Sequence, residues 1–113
     1  MREIKNEADV HELVQTFYQK VMKDELLAPF FKHLNFEEHL PKMEFFWRFV
    51  LLDESGYTTS VTDKHMHMRL KEEHFKRWLL LFYQTLDELF IGEKVELAKQ
   101  RAAVIGWTIQ SKM

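Results

Sequence analysis

Apolar residues recur along this chain at the spacing of a helix face. Val10, Leu13, Val14, Phe17, Tyr18, Val21 and Met22 follow the i, i+3, i+4, i+7 template without a miss, predicting a helix that starts between Asn6 and Asp9 and fades near Lys23–Asp24. In "ELLAPFFKHLN", Pro29 interrupts regular helix, and Phe30 and Phe31 read as buried. Helical spacing returns in "FEEHLPKMEFFWRFVLLDES", with His39, Met43, Phe46 and Val50 on one stripe and Leu40, Trp47 and Leu51 beside it. Pro41 fits best in the first turn or two, so this helix is expected to start near Glu38. "DESGYTTSVTDK" is a polar connection. A further helix is predicted from about Lys71 to Ile91, with Phe75, Trp78, Leu79, Phe82, Leu86, Leu89 and Phe90 inward and Gly92 as its stop. The last runs from about Glu93 to near the C-terminus, with Val95, Ala98, Ala102, Ile105 and Ile109 inward. No alternating β pattern of useful length appears, so the expected class is all-α.

The length, 113 residues, suits one domain spanning residues 1–113. A hydrophobic share of 46% beside a charged share of 30% belongs to globular proteins rather than disordered ones. A net charge of −2 without a basic run gives no electrostatic reason to expect nucleic acid as a partner. The start, "MREIKNEADV", is too charged for a signal peptide, and the apolar run Trp78 to Tyr83 is too short to cross a bilayer. The expected location is the cytoplasm, without a membrane partner.

Absence of cysteine excludes disulfides, thiolate nucleophiles, Fe–S ligation and haem attached through CxxCH. With three glycines there is no phosphate-cradling loop, and Ser55, Ser60 and Ser111 lack a nucleophile context. Adjacent acid pairs such as Glu37–Glu38 and Glu72–Glu73 lie about 100° apart on a helix and read as helix-start charges.

Ten Phe, three Trp and three Tyr bring much flat apolar surface, suited either to a dense small core or to a pocket around a large planar ligand. His65-Met66-His67 resembles a metal-binding HxH pair, but on a helix those side chains diverge by about 200° and no acidic ligand stands nearby. One histidine suffices as an axial ligand to haem iron, given apolar walls and polar groups opposite. Tyr18, His39 and Trp78 place hydrogen-bonding groups on otherwise apolar helix faces. Each alone is more often a satisfied core residue, so composition permits a haem pocket without selecting one.

Ordered motifs go further. "LVQTFYQKV" closes the first helix and "PFF" follows it; His39 stands eight residues before Trp47 and Tyr57 eight before His65; "HFKRWLLLF" places Trp78 thirteen residues after His65. In that order and spacing the chain, from about Val10 to Val104, resembles the group III truncated haemoglobins, bacterial globins with a shortened helical sandwich around haem. The resemblance implies His65 as the proximal iron ligand, with Tyr18, His39 and Trp78 on the distal side. It implies Phe17, Met43, Phe46 and Phe75 as apolar wall and Lys42 as a partner for a haem propionate. The implied cofactor is haem b, held non-covalently on five-coordinate iron that takes O2, NO or CO, and the expected state is a monomer.

Two departures stand out: "YTTS" lacks a glycine common after the loop tyrosine, and Phe36 replaces a tryptophan common three residues before the distal histidine. They bear on the loop before His65 and on how readily the His39 ring swings. Whether the chain is an enzyme stays open. Redox turnover of NO or peroxide would need an electron-donating reductase, for which the sequence carries no flavin or nicotinamide domain. Two other classes compete: a haem-free helical interaction module, and a metal enzyme using His65, His67 and His74.

Overall fold

The computed structural model describes residues 2–32, 35–54 and 71–112. Among these described residues five helices follow in order: α1 (Glu7–Lys23), α2 (Ala28–Phe31), α3 (Phe36–Leu52), α4 (Glu72–Leu89) and α5 (Glu93–Lys112). No strand occurs among the described residues beyond an isolated bridge between Arg2 and Phe90. The all-α expectation holds.

α1 begins where its sequence supplies reciprocal caps. The Asn6 side chain accepts the Asp9 N–H at 3.1 Å, and Asp9 Oδ2 accepts the N–H of Asn6 at 3.3 Å and of Lys5 at 2.8 Å. Glu7 and Asp9 in the first turn and Lys20 and Lys23 in the last complement the helix dipole. Val10, Leu13, Val14, Phe17, Tyr18 and Val21 are buried, as their spacing predicts, while Met22 is only half-buried.

α3 starts at Phe36, two residues before the expected Glu38, because Asn35 caps it by accepting the Glu37 N–H at 3.1 Å. Pro41 therefore lies in the second turn. Its missing N–H would have bonded the carbonyl of Glu37, an exposed residue where water can substitute, so the helix tolerates it. Asp53 ends α3 in the left-handed region at φ 57°.

α4 ends where Phe90 turns extended, and Gly92, at φ 105°, makes the corner into α5 that a side chain would strain. A Cβ there would also meet the Glu3 side chain at 3.2 Å.

α1 packs against both α3 and α4, while α5 covers α4 and α3. The centre is aromatic. Phe82 of α4, fully buried, lies nearly parallel to the Trp78 indole (6°, centroids 5.9 Å apart) and stacks on Trp47 of α3 at 4.9 Å. Phe17 of α1 meets Phe82 edge-on at 5.0 Å. These rings join three helices in one contact chain and fix which stripe of each faces the others.

Candidate functional site

Above this aromatic layer, α1 and α3 bring two polar groups together. Tyr18 is 6% exposed, and its hydroxyl shares a 3.1 Å hydrogen bond with His39 Nε2, the donor set by the imidazole tautomer. The rings meet edge-on at 5.3 Å. Phe31 of the one-turn α2 packs at 6.2 Å from Tyr18. Burial pushes the Tyr18 phenol above its ordinary value near about 10, so it keeps its proton across the physiological range. A buried neutral phenol is a hydrogen-bond donor in an environment that strengthens its dipole.

Phe17 connects this pair to α4. Its ring contacts Tyr18 at 5.1 Å and Trp78 at 5.8 Å, so His39, Tyr18, Phe17 and Trp78 form a continuous run of rings. Trp78 is half-buried, and among the described residues its indole N–H enters no hydrogen bond. Phe75, one turn before Trp78, is buried, as are Met43 and Phe46 on the His39 face of α3. The structure thus gathers Tyr18, His39, Phe17 and Trp78 by direct contact and buries the three other apolar candidates. Lys42 stands apart: it is exposed and pairs with Glu38 at 3.3 Å. His65 and His67, with the "YTTS" loop, lie outside the described residues.

His74, a candidate ligand in the three-histidine metal reading, has another role. It is buried, its Nδ1 accepts the Lys71 N–H at 2.8 Å, and its ring meets Phe30 at 4.5 Å. That nitrogen caps α4, which leaves it unsuited to the three-histidine metal site.

A cleft of about 280 Å³ lies on the outer side of Tyr18, lined by Gln15, Gln19, Met22 and Lys23 of α1 and Leu40 of α3.

Comparison with known proteins bears on this arrangement. The family model for bacterial-like globins matches residues 3–107. The group 3 truncated haemoglobin ctb of Campylobacter jejuni is 30% identical over 115 residues, covering 96% of this chain and 91% of that one. The chain belongs to the bacterial-like globin family. A group 1 truncated haemoglobin of Tetrahymena thermophila is 28% identical over 90 residues, covering 79% of this chain and 74% of its own length. The crystal structure of the group III truncated haemoglobin from Campylobacter jejuni superposes with a TM-score of 0.87 at 31% identity, covering 99% of this globin and 94% of that chain. The truncated-globin expectation therefore stands, and with it haem binding and the binding of small gaseous ligands in general. No helix among the described residues is long and apolar enough to cross a membrane.

The rings that set Trp78 in place were legible only in part. Phe82 reads as inward and Trp47 as lying beside the stripe of α3, but nothing in their positions, 35 residues apart, says that they stack on each other.

Proposed function

We propose that this globin holds haem b non-covalently, with His65 as its iron ligand and Tyr18, His39 and Trp78 on the opposite face, and binds O2, NO or CO there. The observation that carries the reading is a buried phenol hydrogen-bonded to a histidine, one ring away from an indole, inside an otherwise apolar wall. Such a donor set is costly in a dry core and useful against a polar ligand, so these residues fit the distal side of a haem. Absence of cysteine fits non-covalent attachment.

Bound haem supplies an iron with one open position for a diatomic ligand. The chain's own groups decide how long a polar ligand stays. With the His39 Nε2–H donating to the Tyr18 oxygen, the Tyr18 O–H can donate onward to the ligand, and the Trp78 indole N–H is the second donor. Phe17, Met43, Phe46 and Phe75 exclude water, so these bonds act in a low dielectric. His39 is half-buried, and rotation toward solvent would break its bond to Tyr18 and open a path for ligand. The exposed Lys42–Glu38 pair is worth little, so Lys42 can exchange Glu38 for a propionate. Turnover of NO or peroxide would draw electrons from a separate reductase.

Haemin titration of the purified protein tests the proposal. A Soret band that saturates at one equivalent, then shifts on reduction and again on adding CO, supports it. A protein that stays colourless with haemin present is instead a helical module whose aromatics form a dry core.

A further inference from the structure

The end of α1 carries a buried carboxylate that the ligand site does not use. Asp24, 9% exposed, caps α1 with an extended backbone, and its own N–H bonds the carbonyl of Val21 at 3.2 Å while its carbonyl takes the Ala28 N–H at 2.9 Å. Its side chain makes two more bonds: Oδ2 accepts the Leu27 N–H at 3.1 Å, and Oδ1 accepts Arg77 Nε at 2.7 Å. The first holds the turn into α2. The second is a charge-assisted bond between residues 53 apart, running from the end of α1 to α4.

The positions of these two residues matter more than the ion pair itself. Asp24 lies six residues beyond Tyr18 on α1, and Arg77 is the residue before Trp78 on α4. Between them α1 and α4 meet through Phe17, whose ring touches Tyr18, Trp78 and Phe82 edge-on. Edge-on aromatic contacts tolerate sliding and small rotations, because their energy varies weakly over offset geometries. A short bond to a carboxylate that is itself anchored by a backbone N–H does not. The apolar crossing brings the helices together, and among the described residues two ion pairs join α1 to α4 beside it: Asp24–Arg77, and Lys20–Glu88 at 2.9 Å. Only the first uses a buried carboxylate held by a backbone N–H, so it is the one suited to limit rotation of α4 about the crossing.

We propose that Asp24 and Arg77 form a positioning clasp that fixes the Trp78 indole relative to the Tyr18 hydroxyl, and thereby sets how strongly a polar diatomic ligand is retained over an apolar one. This rests on the proposed distal roles of Tyr18 and Trp78. Neither clasp residue touches the ligand; both act through the register between α1 and α4.

The test uses Arg77→Gln, with Arg77→Lys as the conservative variant. The Arg77 side chain is 43% exposed, so its replacement leaves a solvated surface rather than a hole. In Arg77→Gln, O2 dissociation from the ferrous protein should rise about tenfold, the factor carried by one hydrogen bond to a polar ligand. CO dissociation should change by less than about twofold. The Trp78 indole 1H–15N resonance of the diamagnetic CO form, assigned by its loss in Trp78→Phe, should move, and Arg77→Lys should return both readouts part of the way. A lower melting temperature with an unchanged O2-to-CO dissociation ratio and an unmoved Trp78 resonance would make the clasp purely structural and overturn the proposal. If the wild-type protein takes up no haem, the functional reading fails on its own. The indole resonance of the colourless protein then decides the clasp: a shift in Arg77→Gln supports it, and none overturns it.

Discussion

Replacing Tyr18 with phenylalanine removes one oxygen and leaves the ring in place. The packing against Phe17 at 5.1 Å, Phe31 at 6.2 Å and His39 at 5.3 Å involves the ring alone, so no cavity opens. Among the described contacts of the hydroxyl, what is lost is the 3.1 Å bond to His39, worth about 1 kcal/mol net. His39 is half-buried and its nitrogen can rehydrate, which keeps the loss at that level. For a chain of 113 residues this lowers the melting temperature by about 4 °C. The effect on a bound ligand is larger in relative terms. A donor in an apolar pocket contributes about 1.5–3 kcal/mol to a partner carrying partial charge, or roughly ten- to hundredfold in residence time. Bound CO carries little charge and should hardly respond. Flash photolysis and stopped-flow ligand replacement give both dissociation rates on one sample. A double-mutant cycle with His39→Leu should show a coupling of about 0.5–3 kcal/mol on O2 dissociation if His39 orients the phenol. Equal factors for O2 and CO would refute the hydrogen-bond role of Tyr18, and additive effects of the two substitutions would refute orientation of the phenol by His39.

Phe82→Ala should cost about 3–5 kcal/mol, because a fully buried ring that stacks on both Trp47 and Trp78 leaves a void that three helices cannot close together; denaturant unfolding reads it. Gly92→Ala should destabilise by about 1–3 kcal/mol through its φ of 105° and the Glu3 contact, with no change in ligand kinetics; a calorimetric melting point unaffected by the change would count against the strain. For Asp9, burial raises the carboxyl pKa, but the Lys5 N–H, the Arg2 guanidinium and the Asn6 N–H outweigh it and hold the carboxyl below its ordinary value. A folded-state value below the unfolded one contributes stability that is fully present above about pH 4 and is lost as pH falls through the folded value. Asp9→Asn should therefore flatten the acid limb of the stability profile, and an unchanged slope below about pH 4 would contradict a lowered Asp9 pKa.

Much of the architecture was legible in the sequence because each long helix buries one stripe. The stripe of α1 predicted its buried face nearly residue by residue, and Gly92 marked the corner between α4 and α5. In α4 the stripe found Phe75, Phe82 and Leu86, but Trp78, Leu79 and Leu89 are half-buried while Leu81 is buried outside it. Pro41 misled by two residues, since the strength of the Asn35 cap and the exposure of Glu37 decide where α3 starts. The buried polar residues were the harder part. Asp9, Asp24, His74 and Thr85 are all buried, and each is satisfied by a partner that only the folded chain supplies or that a helix turn provides locally. Thr85 bonds the Leu81 carbonyl four residues back, while Asp24 finds Arg77 across 53 residues. At the site, Tyr18, His39 and Trp78 were visible as donors on apolar stripes. Their convergence was not, because periodicity says which face of a helix turns inward and says nothing about which other helix it meets. His65 was distinguished from His67 by resemblance to a family, and spacing alone left them equal.

The assignment of His65 opposite Tyr18, His39 and Trp78 is tested most directly by the iron–histidine stretching band in resonance Raman spectra of the reduced, ligand-free protein. We expect that band in the wild type, its loss in His65→Gly, and its return when free imidazole is added to that variant. Retention of the band in His65→Gly, or its loss in His67→Gly instead, would place the iron ligand elsewhere and contradict the pocket described above.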